Sequence, residues 1–165
     1  MTKTDLKYEP GSFAGPFDEA EVHDFEEDRH LGEQPWIKFD KSYIAHLQEF
    51  HGGIPSKRCF LAASGHERLI EQFMNFTKTG HPLEDYNVEV AWSAVDDRLG
   101  EYLMPFAELF AGDMLCFDYS DYQSGARPKI VVWLHEESWE DTPATDFVAP
   151  NFDAFLEMLF VPKED

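Results

Sequence analysis

The chain has only two cysteines, Cys59 and Cys116. Neither belongs to a Cys-x-x-Cys pair or stands at a zinc-finger spacing from histidine, which excludes a disulfide scaffold and a structural zinc site; each lies in an apolar run and reads as a reduced core thiol. No run of about 18 apolar residues occurs, and residues 1–10 hold no stretch of signal-peptide length. A membrane-spanning helix is therefore not expected, and the protein is expected to stay in the cytoplasm. Glycine-rich phosphate loops are missing too: Gly52-Gly53 and Gly112 stand alone, so no nucleotide cofactor is expected. Basic residues are scarce, 13 Lys and Arg against 33 Asp and Glu, which leaves a formal charge of −20. A field of that sign repels nucleic acid and anionic membrane and attracts basic proteins. It exceeds the magnitude of about 2–8 that suffices for solubility in a small domain, although an acidic proteome or a halophilic host would account for it equally well.

Aromatic and apolar side chains, by contrast, are plentiful: 43% of residues are hydrophobic, with fifteen Phe and four Trp. That excludes a disordered chain and demands a core. At 165 residues one domain suffices, and a domain of this size buries roughly 70% of the surface its unfolded chain exposes.

Residues 1–16 are rich in Pro and Gly and read as a flexible N-terminal arm, with the domain spanning 17–165. Residues 17–31 are strongly acidic, and Phe17, Ala20, Phe25 and Leu31 form an apolar stripe that predicts a surface helix ending at Gly32. Asp40 is placed to cap a second helix carrying Tyr43, Ile44, Leu47 and Phe50, which Gly52-Gly53 stops. His51 would then stand beside its terminal carbonyls as a cation. A strand is predicted over 57–62. Ser64 and Glu67 form a capping-box pattern ahead of Leu69, Ile70, Phe73 and Phe76, which predicts a helix. Tyr86, Val88, Val90 and Trp92 alternate with other residues and predict a half-buried strand. Residues 114–119 and 129–134 are further strands joined by a polar loop, the second so apolar that it should be covered on both faces. A short strand at 145–148 and a helix capped by Asn151 complete an α+β domain with a mainly antiparallel sheet packed against several helices.

No nucleophile elbow is present, and Ser64-Gly65-His66 is better explained by a helix cap than by catalysis. His23-Asp24 with Glu27, and His135-Glu136-Glu137, lack the His-Glu-x-x-His spacing that puts two imidazoles on one helical face, so solvated charge is the stronger reading. Asp113, Asp118 and His135 form a third candidate set, for a metal-dependent hydrolase. What remains is a population of acids and aromatics near strand ends, with no nucleophile, base or cofactor to organise them. Such a population suits a protein-binding surface, with Asp118, Tyr119, Asp121, Tyr122, Glu136, Glu137, Trp139, Glu140 and Asp141 as contacts. No catalytic, metal or cofactor-binding residue is assigned.

Six segments in order resemble the SUKH superfamily, the SMI/KNR-type fold: Leu31-Gly32, Tyr43-x-x-x-Leu47-x-x-Phe50-His51-Gly52-Gly53, Met104-Pro105-Phe106-Ala107, Gly112-Asp113-x-x-Cys116-x-Asp118, Val132-Trp133-x-His135-Glu136, and Asn151-Phe152-Asp153-Ala154-Phe155-Leu156. His51 departs from the family pattern, which usually has Asn before the paired glycines. The resemblance implies a non-enzymatic binding domain, either a bacterial immunity protein that neutralises a secreted polymorphic toxin, of which many are nucleases, or a regulatory scaffold like the fungal cell-wall-assembly members. It also marks Gly52, Gly53, Gly112 and Trp133 as structural. The expected partner is a basic toxin domain, with no nucleic acid and no membrane.

Overall fold

The computed structural model describes residues 7–28, 38–78, 80–121 and 127–163. Among these residues six strands form a single sheet: β1 (Cys59–Leu61), β2 (Glu67–Phe73), β3 (Leu103–Leu109), β4 (Met114–Asp118), β5 (Lys129–Trp133) and β6 (Thr145–Ala149). Each pairs antiparallel with the next, so spatial order equals chain order. Both ends of this meander are covered. Cys59 exchanges backbone hydrogen bonds with Phe160, and Ala63 N–H donates to the Phe147 carbonyl beyond β1. These bonds engage part of each outer edge and so shorten the template for aggregation that an open strand offers.

Among the described residues four α-helices accompany the sheet: α1 (Glu19–Asp28), α2 (Lys41–Glu49), α3 (Val88–Leu99) and α4 (Phe152–Met158). Alternation sets the two faces of the sheet, since residues one apart point oppositely. Phe117 faces α2 and α4: its ring stacks on Phe106 at 4.5 Å and lies 5.0 Å from Tyr43 and 6.1 Å from Phe152. Burying each such ring contributes about 1.5–3 kcal/mol, which makes this aromatic layer the centre of the core. Trp133 pairs with Met114, three residues from Phe117, and so points to the other face. There its indole N–H donates to the Arg98 carbonyl at 3.1 Å, under an Arg98 guanidinium 5.3 Å from the ring, which fixes α3 on that side. All of Ile130, Val131, Val132 and Trp133 are buried, in keeping with the apolar run.

Three local readings are borne out by their caps and strands. Asp40 accepts from Ser42 N–H at the start of α2, Asn151 accepts from Ala154 N–H at the start of α4, and β4, β5 and β6 lie where predicted. In α1 the buried pair is Val22 and Phe25, with Ala20 exposed; the predicted end of this helix at Leu31 and Gly32 lies outside the described residues.

Two elements have the opposite type from that predicted. Residues 67–73 are β2, not a helix. A bulge between Ile70 and Gln72 inserts one extra residue, so Ile70 and Phe73, three apart, share the buried face and imitate helical spacing. Ser64 caps nothing: its N–H and hydroxyl donate to the Asp146 carboxylate. Residues 88–99 are α3, not a strand. Val88, Ala91, Trp92 and Leu99 are buried, and Asn87 caps the helix by accepting from Glu89 and Val90 N–H. Over seven residues a period of two and a period near 3.6 both select Val88 and Trp92, and the cap together with Leu99 decides for the helix. One strand, β3, has no counterpart among the predicted elements because Pro105 interrupts it; the proline sits at a bulge, where the missing N–H is tolerated.

From Tyr8 onward the residues ahead of α1 lie on the body. Tyr8 stacks on Phe50 at 4.6 Å and bonds His46 Nε2 through its hydroxyl, and Ala14 N–H donates to the His51 carbonyl. Beneath this strap lie the paired glycines. Gly52 has φ +71°, and a Cβ there would stand 2.9 Å from Asn75 Cβ; a Cβ on Gly53 would meet Tyr8 at 2.7 Å and Phe13 at 2.8 Å.

Candidate functional site: an acidic rim with an exposed tryptophan

The predicted docking residues divide into an interior group and a surface group. Tyr119 is in the core, 1% exposed, with its hydroxyl donating to the Lys38 carbonyl, so it offers no surface for a partner. Asp118 is also nearly enclosed; it accepts from Ser120 N–H at 2.8 Å and faces Lys129 Nζ at 3.7 Å. Asp121 is exposed and takes the same ammonium at 2.9 Å. Tyr122 lies outside the described residues. Glu136, Glu137, Glu140 and Asp141 are all exposed.

Trp139 is 73% exposed, the most exposed large apolar side chain among the described residues. The turn that carries it is nonetheless held firmly. Trp139 and Thr142 exchange backbone hydrogen bonds, and Asp141, at φ +56°, donates its N–H to the Asp97 carbonyl at the end of α3. Ser138 closes the base: its hydroxyl donates to the Leu134 carbonyl and accepts from Ala144 N–H. A rigid backbone that presents a bare indole to solvent costs apolar exposure with no return inside the fold, and such anchors are enriched at protein interfaces.

Beside this turn lies a cleft of about 440 Å³ that contains Tyr102, Asp118, Asp141, Pro143 and Thr145 in its walls. The fold thus brings Asp118, from the end of β4, and Asp141, from the turn before β6, to one concavity. The sequence offered no sign of the other wall, Gly100 to Leu103, because that stretch carries no motif.

The proposed hydrolase set does not converge. Asp113 and His135 do meet: Asp113 accepts from His135 N–H at 2.9 Å, bonds the imidazole Nδ1, and pairs with Arg68 at 2.7 Å. Burial would raise the Asp113 carboxyl, but the hydrogen bonds from His135 and Arg68 outweigh it and hold the group below the ordinary carboxylate range. Asp118, however, pairs with Lys129 at the opposite end of β4 from Met114, the residue that follows Asp113. Gly112 lies against the His135 ring, 3.1 Å from where its Cβ would be. No group of three or more His, Cys, Asp or Glu positioned to hold a metal occurs among the described residues. At His23, exposed on α1, the imidazole bonds Glu26 and Glu19, one turn either side, and these hydrogen bonds raise its pKa.

His51 is not a cation. It is buried, its Nδ1 lies 3.1 Å from the Gly15 carbonyl and its Nε2 accepts from Phe76 N–H at 2.9 Å, which requires the neutral ring with the proton on Nδ1. Burial lowers its pKa. One donor and one acceptor on a neutral planar group is what an asparagine amide also provides, a physical reason for histidine to stand in the family's asparagine position.

No curated protein and no solved structure matches the chain. A family model does, over residues 16–158, nearly the whole of the domain described above. The chain belongs to the SMI1 / KNR4 family (SUKH-1).

Proposed function

We propose that this protein is a non-enzymatic binding domain of the immunity type, which neutralises a basic toxin domain in the cytoplasm of the cell that makes both. The observation that carries this reading is Trp139, exposed on a pinned turn among Glu136, Glu137, Glu140 and Asp141. An indole supplies contact area at small entropic cost, and the surrounding carboxylates steer a basic partner and accept its hydrogen bonds at the rim. A net charge of −20 extends that steering beyond the contact itself. Family membership supports the class of role, a partner-binding one.

The test is to mix the purified protein with the product of the adjacent open reading frame and assay that product's activity. Stoichiometric inhibition is expected, with association slowing as salt rises. Binding without inhibition would assign a regulatory scaffold instead, and turnover of a small molecule lost on replacing Asp118 or His135 would overturn the non-enzymatic reading.

A further inference from the structure

The geometry points to the cleft beside the Trp139 turn as a receptor for one arginine side chain of the protein partner. This rests on the reading that the rim is the docking face, and it adds which partner group enters and where.

Two of the cleft's carboxylates come from separate elements, Asp118 and Asp141, and Glu101 stands with them; among the described residues no lysine or arginine lines it. The nearest cation shown on this set, Lys129, engages Asp118 at 3.7 Å and is shared with Asp121 outside the cleft. The remaining walls include Tyr102 and Pro143, aromatic and apolar surface open to a side-chain stem. At about 440 Å³ the space falls within the range of small-ligand pockets.

That combination selects for a guanidinium. Its methylenes cover apolar wall while the charged head reaches the carboxylates. Its flat, weakly hydrated face stacks on tyrosine, and Tyr102 is 36% exposed. An ammonium gains less, being strongly hydrated and lacking the flat face that stacks on a ring. A bare metal ion is a poor fit, because the acids are not gathered as a ligand set. The cleft takes Asp141 from the turn that carries Trp139, and on a docking face the source is a protein: tryptophan, tyrosine and arginine are the residue types in which interface energy concentrates.

The test needs no knowledge of the partner. The amide spectrum of isotope-labelled protein is titrated with N-acetyl-arginine methylamide, its citrulline counterpart and its lysine counterpart. Saturable shifts centred on Gly100, Tyr102 and Thr145 are expected with the arginine compound, with Kd on the order of 1 mM for one charged contact plus one ring contact. The lysine compound should bind several-fold more weakly, and citrulline should give no saturation. Asp141→Asn keeps a residue that tolerates positive φ and should weaken the arginine response at least fivefold. Equal responses to arginine and citrulline, shifts spread over the exposed acids of α1, or an unchanged affinity in Asp141→Asn would each overturn the assignment. Saturation by the arginine compound in a protein that fails to inhibit its neighbour's product would keep the cleft and remove the immunity reading, so the two claims fail separately.

Discussion

Two short irregular segments, the floor at 51–53 and the turn at 138–144, spend their residues in opposite ways. The floor is entirely buried, and its three carbonyls are taken up by the strap above it and by β2: Ala14 N–H donates to the His51 carbonyl, Gln72 Nε2 to that of Gly52, and Phe73 N–H to that of Gly53. The turn is equally well tied through Ser138, Thr142 and Asp141, yet it leaves its largest side chain in water. Rigidity is common to both. What differs is where the apolar surface goes, into the fold in one case and toward a partner in the other, and substitutions should separate stability from binding along that line.

The largest stability loss is expected at Gly52. Alanine there places a Cβ 2.9 Å from Asn75 Cβ at a φ of +71°. Asn75 cannot retreat easily, since it is fully buried and its amide bonds the Leu83 carbonyl, Thr77 N–H and the Thr77 hydroxyl. Backbone strain and overpacking together should cost about 3 kcal/mol, a Tm decrease of roughly 6–12 °C at this chain length, read by thermal unfolding. Gly53→Ala should cost less, about 1–2 kcal/mol, because the atoms it meets are ring edges of Tyr8 and Phe13 on a strap that can lift. The same variant should expose residues 7–17 to limited proteolysis while the sheet stays protected. Equal protection in both proteins would show that the strap absorbs the methyl without moving.

A subtler way to probe the floor is pH. The folded pKa of His51 lies below its unfolded value of about 6.5, through burial and against the hydrogen bond to Gly15, with His81 also lowering it. The unfolded chain therefore takes up the proton first, so the stability that neutral His51 contributes is complete above that value and declines as pH falls toward the folded pKa. Exposed His23 works the other way, its pKa being raised by Glu26 and Glu19, so it adds stability on the acid side. The informative quantity is thus the difference between wild type and His51→Asn. The variant keeps a donor and an acceptor but has no proton to gain, and its stability should fall less than that of the wild type between pH 6.5 and 5. Parallel denaturation curves across that window would remove His51 as the source.

The two segments also differ in how far they could be read from residues alone. The floor was visible as a motif, and its glycines fall where backbone and aromatic rings leave no room for a Cβ. What lay on top was not visible: Tyr8 and Phe13 sit in a Pro- and Gly-rich stretch with no periodicity, and only the fold shows that they fill the space the glycines leave. The turn carried no motif, and its acids and Trp139 were legible only as a local density of residue types. Burial separated that set, taking Tyr119, whose hydroxyl bonds the Lys38 carbonyl, into the core and leaving Trp139 outside on its turn, a difference that residue type alone does not carry. Periodicity misled the reading of β2, where the bulge after Ile70 imitates a helix, and of α3, where Val88 and Trp92 fit both periods. Fold class survived these errors because caps at Asp40 and Asn151 and the uninterrupted run in β5 are local signals that tertiary context did not overturn.

The smallest stability effect, and the sharpest division between the segments, is expected at Trp139. Its side chain is mostly in solvent while its backbone makes the hydrogen bonds, so Trp139→Ala should change unfolding free energy by no more than about 0.5 kcal/mol. If the indole anchors the partner, the same change should cost 2 kcal/mol or more of binding, roughly a 30-fold rise in Kd. The loss should appear in the dissociation rate, whereas replacing a rim acid such as Glu137 with Gln should mainly slow association and flatten its salt dependence. A Trp139→Ala protein that neutralises as well as the wild type would move the docking face off this turn, and one that unfolds several degrees earlier would place the indole with the floor, as a part of the fold.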